Sequence, residues 1–221
     1  MIDKERIEDL DICRKCGGMC CIKCGCDYGA GEFIDKTYNS LLDSLSIGDK
    51  SIVATLDFQK VGKDKLVATP ILYIRARNIN RDIVDLVSMK TRCSQLGENG
   101  CKHDYNSRPL GGRNLMPSLP ENGPCRPIIS PIYIINTCMP YQKVLRKIVK
   151  HYTGMSVERK IKEDVENLFL DVLMQNFKDI SPLELADLQE FVPLLVKAFP
   201  QEYINATEKY KNKNNHILNR K

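Results

Sequence analysis

Residues 51–59 (SIVATLDFQ) and residues 66–77 (LVATPILYIRAR) are the two stretches that decide the fold of this 221-residue chain. Both are rich in β-branched and aromatic residues with partial alternation, a pattern typical of β-strands. The polar segment VGKDK at residues 61–65 lies between them and predicts a hairpin connection. We therefore expect a small antiparallel sheet in the first part of the chain.

A third candidate strand follows at residues 82–93 (DIVDLVSMKTRC). It ends before the segment LGENG at residues 96–100, whose Asn-Gly step is a strong turn signal. That turn returns the chain directly to Cys101. Five prolines between residues 117 and 131 then predict an extended, irregular connector.

The sequence changes character near residue 140, where apolar residues begin to recur with the 3.6-residue period of amphipathic helices. Pro140 suits the first position of one helix and Gly154 ends it, and residues 157–173 predict a second helix. A third opens with a capping box at residues 181–184, and Pro193 is expected to kink or split it.

The predicted fold class is α+β. Residues 1–139 are expected to form a loop-rich cysteine-cluster metal-binding domain with the small antiparallel sheet. Residues 140–203 are expected to form a C-terminal helical bundle, which serves as scaffold or, alternatively, offers a groove for a partner. Residues 204–221 are polar and basic, which predicts a frayed tail.

Composition excludes several classes of protein. Apolar residues make up 43% and charged residues 28% of the chain, which is the balance of a globular protein. No apolar run reaches the roughly 18–20 residues that a membrane span needs, so no membrane association is expected. Residues 1–11 carry five acids, two bases and no apolar core, which argues against a signal peptide and for a cytoplasmic protein. The net charge of +5 is modest, and nucleic acid is not an expected partner.

The unusual feature is a total of ten cysteines. Six of them lie within residues 13–26 (CRKCGGMCCIKCGC), two flank the turn at residues 96–100, and the last two follow in the proline-rich stretch. In a reducing compartment, cysteines crowded in this way act as metal ligands or redox groups. The alternatives to metal binding are redox-active dithiols and buried thiols without a ligand role.

The spacing within residues 13–26 suits metal binding. A Cys-x-x-Cys pair lets two sulfurs meet one metal across a tight turn, and Gly17 and Gly18 permit the backbone to fold back and aim Cys20 or Cys21 inward. The second group of cysteines is expected to join the first by long-range folding. The predicted metal ligands are Cys13, Cys16, Cys20, Cys21, Cys24, Cys26, Cys93, Cys101 and Cys125. Cys125 and Cys138 suit the role of buried thiols equally well.

Two residues near Cys101 are candidates for supporting roles. His103 can act as a ligand, but a position outside the ligand set is the favoured interpretation. Arg108 is expected to donate hydrogen bonds to thiolate sulfurs or to carbonyl groups rather than to take part in catalysis. No catalytic residue is identified, because the sequence has no Ser/His/Asp set, no paired catalytic carboxylates and no P-loop.

Two motifs stand in order along the chain. Cys13, Cys16, Cys20 and Cys21 form the first, with three residues before the cysteine pair. The second is CSQLGENGCKHDYNSRP at residues 93–109, which fits the pattern C-x-x-L-x-x-x-G-C-x-x-x-Y-x-x-R-P. Together they resemble the zinc- or iron-chelating cysteine-cluster family that is known by its CxxCxxCC motif. The resemblance covers residues 13–113.

The chain departs from that family at one position. Relatives place a further cysteine shortly after the Arg-Pro pair, where this sequence has Gly112. Cys125, Cys24 and Cys26 are the candidates to replace the missing sulfur. Some relatives resemble flagellin lysine-N-methylases, so the resemblance implies methyl transfer to protein lysine as one activity.

The expected function is therefore that of a cytosolic metalloprotein with a cysteine-ligated centre, either an iron–sulfur cluster or zinc, in a structural or catalytic role. The surplus of cysteines slightly favours an iron–sulfur cluster over zinc. One alternative is a protein- or peptide-modifying enzyme similar to a lysine N-methylase, which would have a protein or peptide partner. The other is a redox or electron-transfer protein.

Overall fold

The computed structural model describes residues 9–16, 18, 21, 26–63, 65–87, 92–98, 100–118, 125–176 and 182–218. Within them the fold is α+β, as expected, with a small antiparallel sheet. The sheet has the strand order β1-β3-β2, in which β1 is Asp27–Tyr28, β2 is Lys50–Val61 and β3 is Lys65–Ala76.

The predicted hairpin is confirmed. Strands β2 and β3 pair antiparallel along their whole length, from Lys50 opposite Ala76 to Val61 opposite Lys65. Gly62 has a φ of +75° in the connecting turn, a conformation that favours glycine. Strand β1 pairs with the far end of β3, where Asp27 lies opposite Arg75.

Two shorter hairpins complete the strands. Strands β4 (Leu96–Gly97) and β5 (Gly100–Cys101) form the turn that the Asn-Gly step predicts, and Gly100 has a φ of +102°. Strands β6 (Leu115–Met116) and β7 (Arg126–Pro127) pair within the proline-rich stretch, so part of it is less irregular than expected.

The predicted third strand at residues 82–93 is wrong for the part that the structure describes. Ile52 forms an isolated parallel bridge with Val84, and Asn78 forms an isolated bridge with Cys93. The apolar side chains of Val84 and Leu86 are nonetheless buried against the core. The apolar pattern therefore reflects burial beside the edge of β2 rather than a regular strand.

Eight α-helices lie in the described residues, four of them short. The short ones are α1 (Leu10–Cys16), α2 (Tyr38–Ser46), α3 (Leu110–Arg113) and α4 (Pro131–Asn136). The long ones are α5 (Gln142–Thr153), α6 (Val157–Leu173), α7 (Pro182–Ala198) and α8 (Pro200–Leu218). Single 3-10 turns occur at Ala30–Glu32, Tyr105–Ser107 and Met139–Tyr141.

The three predicted C-terminal helices are confirmed as α5, α6 and α7. Gly154 ends α5 with a φ of +69°, whereas Pro140 lies in the preceding 3-10 turn rather than at the first position of α5. Helix α7 continues through Pro193, so the expected split does not occur. The predicted cap at Ser181 lies outside the described residues.

The expectation of a frayed tail is wrong for residues 204–218, which belong to α8 (Pro200–Leu218). Ala206 is fully buried, and Glu202 is also buried. The Asn205 amide donates a hydrogen bond to Glu166 of α6, and Lys209 forms an ion pair with the same carboxylate. The small side chain of Ala206 lets α8 approach its neighbours closely, and a single alanine in a polar segment gives little apolar signal in the sequence.

One core cluster joins the sheet and the C-terminal helices, with members that include Ile52, Leu72, Leu145, Val165 and Leu195. The Gln142 amide strengthens this junction, because it donates to the Leu72 carbonyl (2.7 Å) and accepts from the Leu72 N–H (2.9 Å). A side chain of α5 thus takes the place of a neighbouring strand at the edge of β3. The division of the chain near residue 140 stays a prediction.

None of the helices in the described part of the chain combines the length and the apolar composition that crossing a lipid bilayer requires.

We expect Ala206→Asp to lower the free energy of unfolding by roughly 3 kcal/mol or more, because it buries a charge that has no prepared partner. Glu208→Asp is the matched control, since residue 208 is exposed on the same helix. Urea denaturation of both variants measures the difference. Equal stability of the two variants would contradict the packing of α8.

Candidate functional site

Four cysteines line one cavity of about 40 Å³. Cys21 follows α1, Cys26 directly precedes β1, Cys93 lies between β3 and β4, and Cys101 belongs to β5. No disulfide links the described cysteines. The structure thus brings together sulfurs from the dense N-terminal segment and from the second group, about 70 residues further along the chain.

Backbone hydrogen bonds hold these cysteines in place. The Cys93 N–H donates to the Cys21 carbonyl at 2.8 Å, and the Ala76 N–H donates to the Cys26 carbonyl at the same distance. The Cys21 N–H donates a hydrogen bond to the carbonyl of Gly18. Gly18 has a φ of +85°, which allows the backbone to fold back there as the sequence predicts. Because one of these anchors, the Ala76 N–H, lies at the end of β3, the cavity is tied to the sheet.

Helix α3 closes the cavity with two glycines. A Cβ atom on Gly112 would lie 2.9 Å from the Cys26 sulfur, and one on Gly111 would lie 2.8 Å from the backbone nitrogen of Asp27. Both distances are shorter than real Cβ contacts, so only glycine allows α3 to approach this closely. The Cys26 sulfur therefore lies next to Gly112.

Glu32 fixes α3 against β1 and was not singled out by the sequence. Its Oε2 accepts hydrogen bonds from the N–H groups of Gly29 (2.8 Å) and Leu110 (2.9 Å). Its Oε1 accepts from Arg113 Nη2 at 2.8 Å. Since Leu110 and Arg113 lie about 80 residues from Glu32, no local pattern reveals this contact.

His103 and Arg108 also line the cavity. His103 Nε2 is buried and has no hydrogen-bond partner within the described residues, which makes it a further donor atom at the site. The Arg108 Nε donates to the His103 carbonyl at 3.3 Å, as the sequence suggests, and its guanidinium lies 6.0 Å from the centre of the Tyr105 ring. Because His103 lines the cavity, it is a stronger candidate for a metal ligand than the sequence alone indicated.

Interactions within the cavity favour the ionised, thiolate form of one cysteine, Cys93. The Cys21 thiol donates a hydrogen bond to the Cys93 sulfur, and this bond is the main reason why the pKa of Cys93 falls from 9.0 to about 7. The charges of Arg75 and Lys102 lower this pKa further, against the opposing effect of burial. A thiol that ionises near neutral pH is suited to metal binding and to redox chemistry.

The other predicted ligands are placed differently. Cys13 and Cys16 are half-buried on α1, Cys125 is half-buried just before β7, and none of the three lines the cavity. Cys20 and Cys24 lie outside the described residues. Cys138 is buried beyond α4, where burial raises the pKa of its thiol.

The cavity does not have the contracted geometry of a metal-loaded site. In the ranges that the structure describes, no three side chains of Cys, His, Asp or Glu are already close enough to hold one ion. The chemistry of the donor set, four sulfurs and one buried imidazole nitrogen, nevertheless fits a thiophilic metal. Binding a metal here requires side-chain movement.

No protein-family model, no curated protein and no solved structure matches this chain. The resemblance to the cysteine-cluster family therefore stays a prediction that rests on the two motifs.

We expect the reduced, metal-free protein to show one thiolate that titrates with a midpoint near pH 7, because the pKa of Cys93 is lowered to about 7. The thiolate is present above this pH and is lost as the pH falls through it. Ultraviolet absorbance of the thiolate measures the step.

Cys93→Ser should remove this step, and Cys21→Ala should move it to higher pH because the donated hydrogen bond is lost. Cys138→Ser is the control and should leave the step unchanged, since burial raises the pKa of that thiol. A step near pH 7 that persists in Cys93→Ser would contradict the assignment.

Proposed function

We propose that this chain is a metalloprotein whose centre is held by Cys21, Cys26, Cys93 and Cys101. The observation that carries the proposal is the single cavity lined by these four cysteines from distant parts of the sequence. Four thiolates in tetrahedral arrangement are a standard ligand set for structural zinc. The buried His103 Nε2 lies beside them and is a further atom that can coordinate the metal.

The size of the cavity favours one ion over a cluster. Its volume of about 40 Å³ is small, only a few times the roughly 10–15 Å³ that a cavity needs to hold one water molecule. An iron–sulfur cluster contains several iron and sulfide atoms and needs more room. We therefore favour Zn²⁺ over the iron–sulfur cluster that the sequence also allows.

The surrounding charges support a thiolate site. Four thiolates on one divalent ion leave a net charge of −2, which nearby cations stabilise. Arg75 and Lys102 act on Cys93, and Arg108 lines the cavity itself. The charges of Arg75 and Lys102 therefore lower the cost of deprotonating Cys93.

The function that follows is structural. Four protein ligands leave zinc no open coordination position, and closed sites of this kind stabilise folds. The four cysteines tie the segment after α1 to β1, β5 and the loop before β4. In a reducing cytoplasm, where disulfides do not persist, a metal can make such a cross-link.

A second candidate function is thiol redox chemistry. The hydrogen bond between Cys21 and Cys93 and the lowered pKa of Cys93 favour it. Oxidation would join the two sulfurs, release two protons and pass two electrons to an external disulfide. The protein- or peptide-modifying activity implied by the resemblance stays a prediction, as does the partner it would need.

Anaerobic purification of the full chain, followed by elemental analysis and a visible spectrum, tests the proposal. We expect about one zinc per chain and no visible colour. Cys93→Ser and Cys101→Ser should lose most of the metal, because each removes one ligand. Cys138→Ser is the control for a buried thiol outside the cavity and should keep its metal.

Iron with stoichiometric sulfide would overturn the choice of zinc and support a cluster. A folded wild-type protein without any metal, even after exposure to zinc, would overturn the proposal as a whole. Equal metal loss in Cys138→Ser and Cys93→Ser would contradict the ligand assignment.

A sulfur exchange between positions 26 and 112 is a sharper test of the ligand set. Cys26→Ala should lose metal, and Gly112→Ala should lose it in part because the new Cβ displaces the Cys26 sulfur. The double variant Cys26→Ala/Gly112→Cys should regain metal, since the Cβ of residue 112 lies 2.9 Å from the position of the Cys26 sulfur and a sulfur bonded to that Cβ can reach the vacated space. Elemental analysis measures the recovery.

Gly31→Ala is the glycine control, because a Cβ there meets nothing within 4 Å. Circular dichroism verifies that each variant is folded. If the folded double variant binds no more metal than Cys26→Ala does, Cys26 is not the ligand that replaces the family cysteine.

A further inference from the structure

A second and larger cavity, of about 440 Å³, lies between the sheet and the helices. Its lining comes from β1, β2, β3, the loop after β3, α4, α6 and α7. Most of the lining residues are apolar, with Val53, Leu86, Leu188 and Phe191 among them. The volume is within the range of roughly 300–1,000 Å³ that is usual for small-molecule pockets. The wall is therefore suited to an apolar ligand body.

Three charged side chains line this cavity: Asp187 on α7, which is exposed, and the oppositely charged pair Asp27 and Arg75. Asp27 and Arg75 both line the cavity and lie directly opposite each other on β1 and β3. Arg75 is only 3% exposed. Adjacent strands are about 4.8 Å apart, so the two side chains leave the backbone close together on one face of the sheet. Both charges also act on the buried Tyr73, whose pKa is raised by burial and then by Asp27.

The cavity is distinct from the cysteine site. Cys26 and Ala76, each one position away from Asp27 and Arg75, line the cavity of the four cysteines instead. Successive side chains of an extended chain point in opposite directions. Residues 26–27 and residues 75–76 therefore form a wall between the two cavities. Nothing in the proposed zinc site uses the larger cavity.

The access route is marked by two exposed residues. Asp187 in the second turn of α7 and Pro131 at the start of α4 both line the cavity, and both are exposed. Arg75, Leu86 and Leu188 are the buried part of its lining. A ligand can therefore enter past the exposed residues of α4 and α7 and contact the buried Arg75.

The charges restrict the head group of such a ligand. A ligand with a single charge would add an uncompensated ion beside Asp27 and Arg75, whose charges offset each other, and this is costly. A head group with a carboxylate and an ammonium brings no net charge, and it can bond Arg75 and Asp27 at the same time.

We propose that the larger cavity binds a small zwitterion with an apolar body, of the chemical class of free apolar α-amino acids. The carboxylate accepts hydrogen bonds from Arg75, the ammonium donates to Asp27, and the side chain packs on the apolar wall beside Leu188 and Phe191. The two head groups sit on one carbon atom, which matches the short separation of paired residues on adjacent strands.

Isothermal titration calorimetry on the full-length, metal-loaded protein tests this with three probes that share one apolar body. They are L-phenylalanine, which carries both charges, 3-phenylpropionate, which lacks the ammonium, and phenethylamine, which lacks the carboxylate. We expect L-phenylalanine to bind with a stoichiometry of one. Each analogue should bind about tenfold more weakly or worse, since each loses a charge-assisted hydrogen bond.

Three variants locate the binding. Thr55→Leu should weaken L-phenylalanine binding by filling the cavity, and Thr69→Leu is the matched control, because residue 69 is exposed on the adjacent strand and does not line the cavity. Asp27→Asn should remove the preference for L-phenylalanine over 3-phenylpropionate. Metal content is measured for each variant, because Asp27 adjoins the proposed ligand Cys26.

The titrations of the three probes against the wild-type protein test the proposed ligand class even if a variant does not fold. No binding of any probe at millimolar concentration, or equal binding of all three, would overturn the proposal. Binding that Thr55→Leu and Thr69→Leu weaken alike would place the ligand elsewhere. Failure of the zinc proposal is distinguishable, because it is read from metal content and not from these titrations.

Discussion

The short pairing between β1 and the end of β3 is the contact on which both cavities depend. The bond from the Ala76 N–H to the Cys26 carbonyl and the register of Asp27 opposite Arg75 fix residues 26–28 against the hairpin. One side of this junction presents Cys26 to the other cysteines, and the other side presents Asp27 and Arg75 to the larger cavity. A slip of one residue in this register would exchange the two sets of side chains.

The glycines of α3 show how the junction is protected. Gly111 lies against the backbone of Asp27 and Gly112 against the Cys26 sulfur, so α3 covers the pairing without a side chain between them. Glu32 holds α3 there through Leu110 and Arg113. A side chain at position 112 would need different packing at this point, because it and the Cys26 sulfur cannot occupy the same space.

Features that depend on neighbouring residues were predictable from the sequence. The β2–β3 hairpin, the turn at Gly100 and the end of α5 at Gly154 follow from strand-forming residues, an Asn-Gly step and a helix-ending glycine. Contacts between distant segments were not predictable. The bonds of Glu32, the burial of Ala206 and the separation of Cys125 from the cysteine cavity depend on three-dimensional neighbours that a single sequence does not reveal.

Arg75 connects the two proposed sites through its charge. It lines the larger cavity and also favours the thiolate form of Cys93. An anionic ligand on Arg75 would weaken this support, and by linkage the cysteine centre would weaken the binding of that ligand in return. A zwitterion avoids the conflict because its ammonium on Asp27 offsets its carboxylate on Arg75. Neutrality of the bound head group is therefore the condition under which both cavities, which share one pair of chain segments as a wall, can be occupied together.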